Sequence, residues 1–357
     1  MSACHAAESA FGVNVSGQLR ALRRLLYCGE WIESHVLHIY MLHAPDFLGY
    51  PGAVEMAKDY PAVVKRGLEL KKIGNKLVAF LGGREVHPIN VRVGGFYKTP
   101  TEKELSSLEA ELNRGVELAA ETVNWVSTLE FEDFMPDYHF VSLSHPDEYP
   151  MNEGRVVSSK GLDLPIEDFD ITFEEIQVKH SNALQCRLKN GESYFVGPMA
   201  RYNLNFSKLH PEAQAAAKDA GLGQQCRNPF KSIVVRSVEV LHAFLEAVDI
   251  VKNYRQPDRP FVAVNPKEGV GYGCTEAPRG LLYHRYQFDD DGKILDAKIV
   301  PPTSQNQSVI EEDLSRFVSE NFSLPKPELT HLCEQTIRNY DPCISCATHF
   351  LKLHIEE

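Results

Sequence analysis

The sequence predicts a mainly α protein with small peripheral β elements, an α+β chain, in one domain over 1–357 with a strand-rich subregion at about 134–204. Three observations carry this. Apolar residues recur close to every 3.6 positions over 17–43 and again over 101–126. The same period returns at about 210–220 and 233–254. Between these runs, Val141, Val156, Ile171, Ile176, Val178 and Phe195 sit among Pro, Gly, Asp and Ser, the pattern of short strands and loops. No internal repeat, low-complexity tract or linker divides the chain. With 357 residues, 43% hydrophobic and 24% charged, it is of ordinary globular composition and long enough to bury a sizeable core.

Each element has a local reason. In the first helix Leu19, Leu22, Leu26, Ile32, Val36, Leu37 and Ile39 share a face, and Pro45 is expected to close it. Residues 53–81 read as one or two helices, broken near Tyr60-Pro61 and ended by Gly82-Gly83. GGREVHPINVRVGG has glycine pairs at both ends and His87-Pro88 inside, which predicts a tight loop with short strands. Thr101 and Glu104 have the spacing of a capping box and start the next helix. Asn190-Gly191 marks a hairpin turn. GVGYGCTEAPRGLLYHRYQFDDDGKI reads as a loop into a hairpin turning at Asp291-Gly292, and VPPTSQN as another loop. Two short helices are expected at about 309–322 and 326–339.

Composition excludes several roles. The net charge of -12 argues against nucleic acid or an anionic membrane surface as the main partner, since both need a basic face. No apolar run approaches the roughly 18–20 residues of a membrane span. The first residues have no basic start followed by an apolar stretch, so no secretory signal is recognised. A cytoplasmic chain with mostly reduced thiols is expected.

The residues suited to chemistry fall in a few segments. Cys343 and Cys346 form a C-x-x-C in DPCISCATH, with His349 three residues on. Paired thiolates favour nickel, copper(I), zinc or iron. A structural zinc normally needs four ligands, and there is no second C-x-x-C. A thioredoxin-like pair would follow a strand near the start of a domain. Metal site, redox pair and inert thiols all stay open on spacing alone. Arg279, between Pro278 and Gly280 in EAPRG, holds a planar charge either over a pocket or merely in a surface turn. Thr303 and Ser304 in PTSQN, with their amide neighbours, suit an anionic ligand or the cap of the following helix. His35 and His38, spaced i, i+3, and His43 are metal ligands or hydrogen-bonded core residues. Asp46 in HAPDFLG and His87-Pro88 have equally plain structural readings.

Taken in order, SHVLHIYMLHAPDFLG, GGREVHPINVRVGG, EAPRGLLYH, VPPTSQN and DPCISCATH strongly resemble the large, catalytic subunit of nickel–iron hydrogenases. The resemblance runs over essentially the whole chain. VPPTSQN and the compact length look most like the cytoplasmic NAD(P)-linked, sulfhydrogenase-like type. The resemblance implies a helical-bundle fold with peripheral small sheets. It implies a nickel–iron centre whose iron carries cyanide and carbon monoxide, and reversible H2 oxidation and proton reduction there. Cys343 resembles a terminal nickel ligand and Cys346 a thiolate bridging the metals. Arg279 resembles the arginine over the open side of the metals; Pro278, Asp46 and Asp341 match other residues of that canopy. Thr303, with Ser304, matches the hydroxyl that hydrogen-bonds a cyanide, and His349 the histidine near a structural Mg²⁺ or Fe²⁺. The implied partners are an iron–sulfur small subunit, since the chain has no cysteine set for a cluster, flavin- and NAD(P)-binding subunits, a maturation protease and nickel-insertion proteins.

Two departures from the family pattern set further expectations. The family holds its metals with four cysteines, two of them in an N-terminal R-x-C-G-x-C that this sequence lacks, along with the family's proton-carrying glutamate. MSACHAAESAF looks like the segment just downstream, so Cys4 is not expected to be a ligand and the sequence reads as N-terminally truncated. A chain of two thiolates is then expected not to hold the centre, and the alternative is a non-catalytic scaffold or remnant. FLKLHIEE after His349 is either a removable extension or a permanent tail.

Overall fold

The computed structural model describes residues 1–342, 348 and 351–354; Cys343, Cys346 and His349 lie outside them. The helices are α1 (Ser2–Phe11), α2 (Gly17–Leu37), α3 (Ala44–Phe47), α4 (Ala53–Asp59), α5 (Pro61–Gly82), α6 (Glu102–Ser106), α7 (Glu109–Val126), α8 (Phe169–Thr172), α9 (Pro198–Asn205), α10 (Pro211–Asp219), α11 (Ser232–Asn253), α12 (Pro302–Asn321) and α13 (Lys326–Arg338). The strands are β1 (Val91–Arg92), β2 (Gly95–Phe96), β3 (Val141–Ser144), β4 (Arg155–Ser158), β5 (Asp163–Leu164), β6 (Phe173–Gln177), β7 (Leu184–Leu188), β8 (Gly269–Ala277), β9 (Gly280–Phe288) and β10 (Ile294–Val300). The mainly α class with small sheets is therefore the observed one.

The body is a bundle of α2, α5, α7 and α11. α11 is buried without interruption from Ser232 to Leu245, as expected for a helix surrounded by others. α2 and α5 cross closely because Gly29 and Gly74 face each other's helix. A Cβ at Gly29 would lie 2.9 Å from Val78, and one at Gly74 2.8 Å from Ile32. The Thr101 capping box forms as expected. The break at Tyr60-Pro61 is also present, with Pro61 starting α5.

All the named sheets are antiparallel and small: β1-β2, β3-β4-β5, β6-β7 and β10-β9-β8. A second apolar core lies between them, formed by Val141, Phe169, Cys186, Tyr194, Leu281 and Tyr283 among others. The longest sheet carries α1 on its face, through Gly271 and Gly273 of β8. A Cβ on either would run into the α1 backbone, at Ala6 and Ser2 respectively. Among the described residues no helix is long and apolar enough to cross a membrane.

Three local expectations are corrected. Pro45 does not close the first helix. The chain passes from α2 through a π-helical turn, His38–His43, into α3, where Pro45 occupies the first turn and needs no amide partner. VPPTSQN is not a loop: Pro301 is the N-cap and Pro302 the first residue of α12, so the helix expected from 309 starts seven residues earlier. EAPRG is itself the tight turn of a β8–β9 hairpin, paired from Ala277↔Gly280 outward. Gly271→Ala should cost about 1–3 kcal/mol by overpacking α1 against β8. A lower urea midpoint with earlier proteolysis within residues 2–11 is the expected result; an unchanged midpoint would mean α1 is not packed there.

Candidate active site

Three sequence-distant segments meet at the start of the cysteine motif. The first is the π-helical turn. An i, i+5 relation suits a π turn, and here it brings His38 Nε2 to 3.2 Å from His43 Nδ1. His43 Nε2 in turn lies 3.1 Å from Asn339 Oδ1, and His38 Nδ1 lies 3.1 Å from Asp341 Oδ1. Both rings are fully buried. Burial pushes His38 down to about 4, with Asp341 opposing the shift and Arg236 adding to it. Burial also holds His43 well below its usual value. The histidines are therefore neutral, hydrogen-bonded core residues at pH 7. His35 behaves likewise, with its Nε2 2.9 Å from Glu239 Oε2.

The second segment is residues 339–341. Ser232 donates to the Asn339 carbonyl at 2.9 Å. Tyr340 and Tyr138 both donate to Asp313 Oδ2 at 2.5 Å, and the Tyr340 ring packs on Phe195 at 4.5 Å. Asp341 adopts φ 49, a left-handed conformation that aspartate tolerates better than most side chains. The third segment is the β8–β9 turn. Arg279 Nε donates to the Asp341 carbonyl at 2.6 Å and lies 3.1 Å from Asp341 Oδ2. Burial alone would raise the Asp341 carboxyl, but His38, Arg279 and Arg236 hold it well below the usual carboxylate range.

Asp46, fully buried, pairs with Arg338 (Nε to Oδ2 2.6 Å), and Gln335 donates to its carbonyl at 2.9 Å. Arg338 lies three residues before Asp341, so the structure brings Asp46, Asp341 and Arg279 to one short stretch of chain. Pro278 lines a cavity of about 240 Å³ with Met1, Leu26, Tyr27, Glu30 and Ala277. Thr303 and Ser304 line a different cavity of about 360 Å³, with Glu175, Leu184, Ile299 and Gln307. Ser304 Oγ donates to Pro301 O at 2.9 Å. The two amides beside them have internal roles. Gln305 donates to Leu281 O at 2.6 Å, and Asn306 exchanges both bonds with the Val196 backbone at 2.8 and 3.0 Å. Cys343, Cys346 and His349 lie outside the described residues.

Sequence reasoning missed two groups. Arg236 is buried on α11, its guanidinium pushed down to about 10 by burial, and its Nη1 finds no acceptor among the described residues. Arg201 and Glu239, also fully buried, form a charged knot with Glu276 directly behind EAPRG. The available signal was an arginine in VGPMAR and a glutamate between Val238 and Val240 in a largely apolar helix. Among the described residues no three His, Cys, Asp or Glu side chains form a metal site. The described thiols are free, and burial pushes every one of them up, Cys186 and Cys226 to about 11, so they stay protonated at pH 7.

Comparison with known proteins identifies the family. Residues 187–349 match the family model described as nickel-dependent hydrogenase. The chain is 32% identical over 360 residues to sulfhydrogenase 1 subunit alpha of Pyrococcus furiosus, covering 99% of this chain and 83% of that protein. It is 29% identical to sulfhydrogenase 2 subunit alpha of the same organism, covering 99% and 84%. In structure it resembles an NAD⁺-reducing [NiFe]-hydrogenase in the H2-reduced state, with TM-score 0.88 and 23% identity over 98% of this chain and 84% of that one.

Burial pushes Asp313 up to about 6, against the bonds from Tyr138 and Tyr340, which lower it. The folded value lies above the unburied 3.8, so the associated stabilisation is complete below about pH 4 and is lost as pH rises through 6. The stability difference between wild type and Asp313→Asn should therefore shrink by up to about 3 kcal/mol from pH 4 to pH 7. Urea midpoints at the two pH values measure it; a pH-independent difference would place the Asp313 proton elsewhere.

Proposed function

The chain belongs to the nickel-dependent hydrogenases, enzymes that act on H2, and from that premise we propose that it is the catalytic large subunit, carrying out reversible H2 oxidation at a nickel–iron centre. Cys343 and Cys346 would hold the nickel–iron group, whose iron would carry cyanide and carbon monoxide. The residues around the motif suit that group. Asp341, ion-paired with Arg279 and in contact with neutral His38, lies two positions before Cys343, and a buried donor with no acceptor among the described residues, Arg236 Nη1, lies near Asp341. When bound, the centre would supply the Lewis-acid and redox chemistry that splits H2 heterolytically.

The chain's own groups do the rest. Arg279 holds a permanent positive charge beside the motif, fixed by two bonds to Asp341. A charge set in place beforehand lowers a barrier without reorganising during reaction. Asp341, held well below the usual carboxylate range, stays ionised and orients Arg279, and Asp46 orients Arg338. Pro278 gives the canopy an apolar wall without an amide hydrogen. Thr303 would supply the hydroxyl that hydrogen-bonds a cyanide, with Ser304, whose own hydroxyl donates to Pro301 O, beside it, and His349 would lie near a structural Mg²⁺ or Fe²⁺. The observation that carries this reading is the Arg279–Asp341 pair.

Electrons would leave through an iron–sulfur small subunit, since the chain has no cysteine set for a cluster. The relatives matched are alpha subunits of larger assemblies. Val86, Ile89 and Tyr97 are 67%, 59% and 64% exposed on one loop region, a surface suited to such a partner. Flavin- and NAD(P)-binding subunits, nickel-insertion proteins, a maturation protease and a cytoplasmic location complete the reading.

A second reading, a non-catalytic scaffold, is favoured by one fact: beyond the C-x-x-C, every described thiol is kept protonated by burial. Nickel content of the purified subunit, by plasma mass spectrometry, separates the two. One nickel per chain with H2 uptake is expected of the native subunit in which a second thiolate pair completes the family's four; the two thiolates of residues 1–357 by themselves are expected to hold none, and a native subunit with no nickel and no uptake would leave the scaffold. Arg279→Lys should retain nickel while kcat falls about 100- to 1,000-fold. Undiminished turnover would remove Arg279 from the mechanism.

A further inference from the structure

Among the described residues the Arg279 side chain is anchored by Asp341, and it is 32% exposed. The accuracy of its position must come from its backbone. That backbone is a two-residue turn, a kind of loop whose carbonyls usually face water and whose ends rock. Here they do not face water. Arg201, fully buried on α9, spends all five of its N–H donors within this knot. Nε and Nη2 hold the two oxygens of Glu239 at 2.8 and 2.7 Å. Nη1 donates to Glu276 Oε2 at 3.0 Å and to Ala277 O at 2.9 Å, and Nη2 also reaches Pro278 O at 3.0 Å. The Trp31 ring covers the guanidinium at 4.2 Å, and its Nε1 donates to Glu276 O at 2.9 Å.

Neutralising Glu239 needs only the bidentate pair. The remaining donors are aimed at the three residues that precede Arg279. The turn is also held from its other side. Gly197, at φ 108, lies so close that a Cβ there would sit 2.6 Å from Arg279 O, and one at Gly280 would sit 2.9 Å from Gly197 N. Gly197 and Arg201 are consecutive parts of VGPMAR, so one segment grips the turn by shape at one end and by charge at the other.

We propose that Arg201 is the positioning residue of the Arg279 turn: its planar fork fixes the carbonyls of Ala277 and Pro278, and through them the place of the Arg279 charge. The proposal rests on the reading of Arg279 as the charge that acts on H2. Lysine keeps the charge of Arg201 but has three donors on a flexible stem, so at least two of the five acceptors would go unmet.

The test uses the nickel-loaded subunit in its native complex, with Arg201→Lys and, as a control, Arg24→Lys. Arg24 is an equally buried arginine bound to Glu148 and Glu246. Two readouts are taken: amide hydrogen exchange of residues 277–281 by mass spectrometry, and kcat and KM for H2. In R201K the exchange of this segment should rise at least about tenfold and kcat should fall at least about tenfold with KM unchanged, because misplacement of about 1 Å is costly. R24K should do neither. Exchange within twofold of wild type, loosening spread evenly over the chain, or wild-type kcat with a loosened turn would each overturn the proposal. If R201K does not accumulate, Glu276→Gln removes one acceptor at constant size. It should loosen the same segment about threefold, and no change would overturn the clamp. Wild-type protein that takes up no H2, while exchange responds as expected, would sink the reading of Arg279 and leave the clamp standing.

Discussion

Charge buried beyond the reach of water has to be paired, and the bundle is assembled around that requirement. Arg23 of α2 holds Glu8 of α1 at 2.5 Å. Arg24, one residue on, holds Glu246 of α11 and Glu148. Arg201 of α9 joins Glu239 of α11 to Glu276 of β8. Arg338 of α13 holds Asp46 of α3, and Arg279 holds Asp341. Such pairs add little net stability, because desolvation consumes most of the attraction. Breaking one by removing a partner is another matter and costs about 3–5 kcal/mol. Apart from Arg23–Glu8, which joins consecutive helices, each pair joins elements far apart in sequence. A misdocked helix therefore leaves at least one charge stranded, and the pairs select one arrangement among the many that would bury similar apolar area.

The fold was legible where a local cause dominates. Thr101 with Glu104, Tyr60-Pro61 and the periodic run of α11 each act within a few residues, and each element lies where those signals put it. Two errors have a common origin in proline. Pro45 was expected to close a helix and VPPTSQN to be a loop, yet in the first turn of a helix the missing amide costs nothing and the fixed φ helps. Sequence cannot distinguish the two situations without the preceding turn. The π turn at His38–His43 is invisible for a different reason. Its extra residue serves tertiary contacts, to Asn339 and Asp341 about three hundred positions away, and nothing local requires it.

The candidate site was legible in its motifs and not in their supports. EAPRG and DPC-x-x-C have residue types and spacings that few chemistries use, so Arg279, Asp341 and the two cysteines stood out. Arg201, Glu239 and Arg236 stand in helices, singly, and any of them would pass for a surface residue. Their importance lies in burial, which depends on every other helix being in place. His35 illustrates the reverse case: its spacing to His38 suggested a shared ligand face, but the partner it found was Glu239.

The same logic explains why the chain is fixed so firmly just before the cysteine motif. Asn339 is held by Ser232 and His43, Tyr340 by Asp313 and Phe195, and Asp341 by His38 and Arg279. Three consecutive residues are thus tied to α11, the π turn, α12 and the β8–β9 turn. None of these contacts needs a metal. The C-x-x-C starts two residues later, so the chain enters it from a point and direction that these contacts define. Arg279 is part of that anchor and, in the reading given above, part of the chemistry. The contact that sets where the C-x-x-C starts is thereby the contact that sets where the charge sits, so neither can drift without the other.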